Sequence, residues 1–261
     1  TEGLHCRPMA IFFSIAIIIA LGFIGNMVQS NSIADAFSNA FGTNRLIVGC
    51  VIGAISAYVF FGGIGRIASL TEKIVPIMAG LYILGILVRF GARIPHMFWM
   101  IIDGAFDPKA ATGGLIGATI KEAVRYGVAR GLFSNEAGMG STPHAHAVAK
   151  VKHPAEQGLA AIMGVFIDTF IVLNMTAFVI FVTGVLDGKT SGISLTQNAF
   201  KVGLGGWGLS FVAICMLFFA FSTIIGWYFF GEQNIKYLFG NKGLTPYRLI
   251  VVAFVVVGSV L

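Results

Sequence analysis

Gly131-Leu132-Phe133-Ser134-Asn135-Glu136-Ala137-Gly138-Met139-Gly140-Ser141-Thr142-Pro143 places a carboxylate, an amide, hydroxyls and several glycines in the middle of a chain that is otherwise strongly apolar. A carboxylate inside a membrane segment marks a functional site by default. Glycine and proline let the backbone leave helical geometry. Unwound backbone at membrane depth survives only where it is buried in protein or lines a watery cavity. The stretch therefore reads as a helix broken in mid-membrane, the binding element expected of a secondary transporter.

Composition agrees. The chain has 261 residues, of which 57% are hydrophobic and 11% charged, against about 25% charged in soluble domains. Its 34 glycines suit close helix packing in lipid. The formal charge is +6, but the basic residues sit in short loops between apolar runs, which argues against nucleic acid as a partner. Cys6, Cys50 and Cys215 are widely spaced and suggest neither a disulfide framework nor metal spacing. They read as small apolar residues. The chain starts Thr-Glu-Gly and ends inside an apolar run, so it is read as a segment of a longer multi-pass membrane protein.

About 20 mostly apolar residues cross a bilayer as a helix. By that measure spans are expected over Met9–Ser30 after Arg7-Pro8, Leu46–Phe61, a short Ile74–Phe90 with Pro76 in its first turn, Leu159–Leu186, Leu209–Phe230, and from Tyr247 onward. Ile94–Ile102 is too short and reads as an interfacial helix anchored by Phe98 and Trp99. Asp107-Pro108 signals a turn, and Gly192–Val202 a surface helix. Gly114–Arg130, with Lys121, Glu122 and Arg125, reads as an amphipathic half-helix beside a wet vestibule, completed after the break by Ser141–Val151. The total is seven spans, one discontinuous. Lys and Arg balance across alternating loops, so charge does not orient them.

A broken helix exposes N–H groups at one internal end and carbonyls at the other. The first suit a carboxylate, the second an ammonium group or Na⁺. Ser134, Asn135 and Ser141 add polar side chains, and Phe133 and Met139 add apolar walls. Glu136 either coordinates a cation or proton, or anchors the unwound loop, with Arg130 its nearest candidate partner in sequence. Phe23, Asn26 and Ser30 share a helical face that suits a small polar ligand or interhelical hydrogen bonding. Ser222 and Thr223 form a hydroxyl pair for Na⁺ or bond back to their own helix. Trp227 is a pocket wall or ordinary packing. Asp168 is a second intramembrane acid with no role assigned. His144 and His146 diverge on a helix, which argues against a metal site.

The run Arg130–Ala147 resembles the signature of the alanine or glycine:cation symporters, also called sodium:alanine symporters. Gly25-Asn26-Met27-Val28-Gln29-Ser30-Asn31-Ser32 and Phe221-Ser222-Thr223-Ile224-Ile225-Gly226-Trp227-Tyr228-Phe229-Phe230-Gly231-Glu232 resemble it too. The resemblance implies an all-α, LeuT-like fold of two inverted five-helix repeats. Residues 1–106 would be the later helices of the first repeat and 107–261 most of the second, in a single transporter domain. It implies Na⁺-coupled import of alanine, glycine or similar small amino acids across the cell membrane. Na⁺ would be the coupling ion, with no other cofactor and no enzymatic activity. Proton coupling on the same fold, or an ion channel, is the alternative. By the same resemblance Phe23, Asn26, Phe133, Ser134, Asn135, Met139, Thr223 and Trp227 line the substrate pocket, while Ser222 and Thr223 hold Na⁺. Glu136, Gly138 and Arg130 shape the break. The first discontinuous helix and the final helix of such a fold would lie outside this chain.

Overall fold

The computed structural model describes residues 5–106, 118–136, 138–186 and 190–261. All regular structure among them is helical. The helices are α1 Arg7–Ile17, α2 Asn26–Phe41, α3 Arg45–Phe61, α4 Gly63–Phe90, α5 Ile94–Phe106, α6 Ala118–Ser134, α7 Pro143–His146, α8 Pro154–Phe166, α9 Asn174–Thr183, α10 Gly192–Leu204, α11 Trp207–Phe239 and α12 Leu244–Gly258. Two π-helical segments, Ile18–Gly25 and Ile167–Leu173, join α1 to α2 and α8 to α9 without a break. Among the described residues, Arg7–Phe41, Gly63–Asp103, Pro154–Thr183 and Trp207–Gly258 are long and apolar enough to cross a membrane; Arg45–Phe61 is a shorter apolar helix.

Several boundaries differ from the sequence expectation. The third span begins at Gly63, so Pro76 lies inside α4 rather than in its first turn. The sixth expected span continues as helix to Phe239, well past Phe230, and Glu232 and Lys236 pair along the added turns. The broken helix stays helical through Ser134, and its second half is the single turn α7 rather than Ser141–Val151. The run Trp207–Gly258 takes in two of the expected spans, as α11 and α12 on either side of Gly240–Gly243. Asp107-Pro108 and the start of the Gly114 half-helix lie outside the described residues.

The chain divides into two compact units, Thr1–Tyr82 with Leu186–Leu261, and Ile83–Val185. In the first, Ile33, Ile52, Phe60, Ile224, Ile225, Tyr228, Val251 and Val255 form the buried core. Phe60 stacks on Tyr228 with ring centroids 3.7 Å apart. Lipid is as apolar as leucine, so helices in it associate by close packing and interhelical hydrogen bonds rather than by hydrophobic burial. Both are present. Gly53 leaves room for the Val256 side chain and Gly258 for the Met27 backbone. Ser30 donates across to the Val255 carbonyl at 2.7 Å, which settles its role as interhelical bonding. Helix α10 is not merely superficial. Its Gln197 is buried, donates to Ala36 O at 2.9 Å and accepts from the Asn39 amide at 3.0 Å.

Local signals place the ends. Gly42 closes α2 in the left-handed conformation at φ 64°. Asn44 caps α3 by accepting from Leu46 N at 2.8 Å, and Arg45 pairs with Asp35 at 2.7 Å. His153 caps α8, with Pro154 in its first turn.

Candidate functional site

The second unit holds the break. Helix α6 ends with Asn135 N bonding Gly131 O at 3.2 Å and Glu136 N bonding Phe133 O at 3.2 Å. Glu136 then turns left-handed at φ 51°, and Gly138 and Gly140 follow at φ 75° and 73°. A positive φ on a non-glycine residue costs on the order of 1 kcal/mol or more and persists only where its surroundings impose it. Here the side chain is held by two hydroxyls. Glu136 Oε2 accepts from Ser141 Oγ at 2.6 Å and from Thr142 Oγ1 at 3.2 Å. The carboxylate staples the loop to the start of the next turn, and Ser141 is fully buried. Two hydroxyls are thus anchoring partners of the carboxylate. Arg130 is exposed, with its guanidinium 5.8 Å from the Tyr126 ring.

The second half of the break does not present an open row of N–H donors. Pro143 has none, and His144 N, Ala145 N and His146 N bond the carbonyls of Ser141 and Thr142. His144 Nδ1 lies 2.8 Å from Ser141 O, and His146 Nδ1 lies 2.7 Å from Gln157 Oε1. Each histidine thus takes a hydrogen-bond partner of its own. Phe133 is 43% exposed, and Met139 half-buried.

The break is also tied to the π-helical segment Ile167–Leu173. Ser134 Oγ donates to Asp168 Oδ2 at 2.9 Å, and Thr169 Oγ1 donates to Asn135 Oδ1 at 3.1 Å. Asn135 Nδ2 also reaches back to Gly131 O at 3.3 Å. Two consecutive residues on each strand of chain are thereby paired. A π-turn widens the helix and loosens its carbonyl ladder, a feature frequent at functional sites. Asn174 compensates by donating to Thr169 O at 2.9 Å and Phe170 O at 3.2 Å. Asp168, which the sequence left without a role, and Thr169, which it did not single out, are the partners of Ser134 and Asn135.

In the first unit the same device recurs. Asn26 follows the π-helical segment Ile18–Gly25, is fully buried, and donates Nδ2 to Gly22 O at 2.9 Å. Its Oδ1 is buried without a hydrogen-bond partner among the described residues. A buried amide oxygen left open is costly unless something else donates to it. Phe23 is half-buried, 4.9 Å from the Phe254 ring centroid. Trp227 is buried, and its ring lies where a Cβ on Gly25 would come within 2.6 Å. Trp227 therefore packs on the turn that carries Asn26. Ser222 and Thr223 both donate to Phe219 O, at 2.9 and 3.0 Å. A hydroxyl whose proton is held by its own helix still has lone pairs for a hard cation. Among the described residues no group of three or more His, Cys, Asp or Glu side chains gathers as a transition-metal site would require.

Residues 1–261 match the sodium:alanine symporter family. The chain is 42% identical over 262 residues to the amino-acid carrier protein AlsT of Bacillus subtilis, covering 99% of this chain and 55% of that protein. It is 42% identical to the probable sodium/glutamine symporter GlnT of the same organism, over 99% of this chain and 54% of that one. It is 44% identical to the sodium/alanine symporter AgcS of Methanococcus maripaludis, over 88% of this chain and 52% of that one. The chain spans about half the length of the relatives it matches. The described residues hold several runs long and apolar enough to cross a membrane, and the family match covers residues 1–261: the chain belongs to the sodium:alanine symporter family.

Proposed function

We propose that the protein imports small neutral amino acids, alanine or glycine, coupled to Na⁺ by alternating access, on a LeuT-like fold of five-plus-five inverted repeats. In that reading residues 1–106 belong to the first repeat and 107–261 to the second. The observation that supports it most is the unwound, carboxylate-stapled chain at residues 135–136 and 138–142 inside an apolar sequence.

The roles follow the chemistry of the side chains. The open Oδ1 of buried Asn26 is an acceptor suited to an ammonium group. In the second unit, the C-terminal end of α6, with its partial negative charge, suits an ammonium group or a cation. Phe23 and Trp227 supply apolar walls in the first unit, and Phe133 and Met139 supply them in the second, to exclude bulky side chains. Ser134, Asn135 and Thr223 supply polar contacts. Ser222 and Thr223 offer oxygen ligands to Na⁺. Glu136 and Gly138 hold the shape of the break, with Arg130 at its approach.

The test is uptake of labelled alanine into proteoliposomes of the full-length protein, with and without an imposed Na⁺ gradient. Accumulation that requires the gradient is expected. Equal accumulation without it, following pH, would replace Na⁺ by protons. Ion current without substrate and without accumulation would make the protein a channel.

A further inference from the structure

Glu232, Tyr228, Tyr247 and Arg248 form a buried polar cluster that the roles above do not use. Tyr247 is 2% exposed and donates its hydroxyl to the Tyr228 carbonyl at 3.1 Å. The Tyr228 hydroxyl accepts from Arg248 Nε at 3.0 Å. The other end of that guanidinium reaches Glu232 Oε1 at 3.5 Å, and Lys236 Nζ reaches the same oxygen at 3.0 Å. Arg248 also lies 5.6 Å from the Phe61 ring centroid. Glu232 is 4% exposed, and its Oε2 has no hydrogen-bond partner among the described residues. A buried ion pair of this kind is weak evidence for stability, because desolvation offsets the attraction. Its best-attested use is to specify register between elements.

The surroundings show which register is set. The Tyr247 hydroxyl enters a slot floored by two glycines, Gly22 of the π-helical segment and Gly231 of α11. A Cβ on Gly22 would stand 2.8 Å from that hydroxyl but 3.5 and 3.6 Å from the nearest ring carbons. Gly22 is also the residue whose carbonyl holds the Asn26 amide. The Tyr247 ring lies 5.8 Å from that of Phe23 and 5.5 Å from that of Tyr228. Tyr228 is the neighbour of Trp227 on α11. One side chain therefore sits against the turn bearing Phe23 and Asn26 and hydrogen-bonds the turn bearing Trp227. The Arg248–Glu232 pair holds that side chain's helix against α11.

We propose that Tyr247, held by the Glu232–Arg248 pair, is a positioning residue for amino-acid transport: it sets the rotation of α11 against the π-helical turn and so the placement of Phe23, Asn26 and Trp227. The proposal rests on the reading of those three residues as pocket residues. It concerns how they are held, not what they bind.

The experiment measures alanine KM and maximal uptake rate in proteoliposomes for the full-length wild type, Gly22→Ala, Tyr247→Phe and the double variant. Detergent-solubilised samples are heated and scored by size exclusion in parallel. Tyr247→Phe loses one hydrogen bond and raises KM about threefold. Gly22→Ala pushes the hydroxyl out of its slot and raises KM about tenfold. In the double variant the hydroxyl that clashed is gone, and the remaining ring carbons lie at ordinary contact distance. Its KM falls back to that of Tyr247→Phe alone, a non-additivity that independent sites would not give. Additive KM effects overturn the proposal. So does wild-type KM in all three variants with only heat stability and maximal rate reduced, since that is the signature of a purely structural contact. If the wild type accumulates no amino acid, the transport reading itself fails, and the positioning proposal falls with it.

Discussion

Removing the Ser141 hydroxyl is the most direct perturbation of the break. It donates to Glu136 Oε2 at 2.6 Å from a fully buried position, and Thr142 Oγ1 donates to the same oxygen at 3.2 Å. Hydrogen bonds to a charged group contribute about 1.5–3 kcal/mol, against about 1 for neutral pairs. The shorter, buried bond belongs near the middle of that range, about 2 kcal/mol. The longer, half-buried one belongs near 1 kcal/mol. These convert to about 30-fold and about fivefold in the equilibrium between stapled and unstapled loop. Apparent substrate affinity scales with the fraction of protein in the binding-competent state. Ser141→Ala should therefore raise alanine KM by up to about 30-fold, and Thr142→Ala by up to about fivefold, with less change at saturating substrate. The bond to Ser141 also ties down a residue that stands at positive φ. Glu136→Gln keeps an acceptor but loses the charge, so adding Ser141→Ala to it should cost less than Ser141→Ala alone. The assay is the initial rate of labelled alanine uptake at varied concentration, in proteoliposomes of the full-length protein. A larger effect from Thr142→Ala than from Ser141→Ala would refute the staple. So would strict additivity with Glu136→Gln.

Three further expectations are open to measurement. Trp227→Ala should weaken alanine uptake and admit larger side chains, seen as competition by leucine; Gly25→Ala, whose Cβ would meet the same ring at 2.6 Å, should also raise alanine KM, and unchanged kinetics in both would remove Trp227 from the pocket. Ser222→Ala and Thr223→Ala should each raise the Na⁺ concentration for half-maximal uptake several-fold while the helix persists, because their protons go to Phe219 O and only their lone pairs are free for the ion; unaltered Na⁺ dependence would assign them to helix packing alone. Asp168→Ala and Ser134→Ala remove the same 2.9 Å bond, so each should reduce uptake by roughly a few-fold and the double variant by no more than the worse single one; a multiplicative loss would separate the two residues.

Much of the architecture was legible in the amino-acid order because bilayer spanning depends on length and composition. The apolar run Met9–Ser30 lies within the helical stretch Arg7–Phe41, and Arg45–Phe61 begins one residue from its expected start. Gly42, Asn44 and Pro154 stand at helix ends in the structure, as residue types that favour such ends. The break was legible in kind, since Glu136, Gly138 and Gly140 adopt positive φ. Its extent was not. Gly131 remains helical, since glycine permits unwinding without requiring it, and the segment after Pro143 closes after one turn. Pro76 sits within a helix for the converse reason: proline removes one hydrogen bond, and neighbouring groups in a membrane helix can make up for it.

What the sequence by itself determined is that this chain crosses a membrane several times and interrupts one helix with chemistry that lipid would not tolerate. Only the tertiary structure decided what that chemistry touches. The π-helical turns leave no trace in a 3.6-residue pattern, because they add a residue without changing the apolar run. Ser134 and Asp168 lie 34 residues apart, and Gly22 meets a tyrosine at position 247. Such pairings are fixed by the rotation of one helix against another, which depends on side chains packing around both and on no local signal in either.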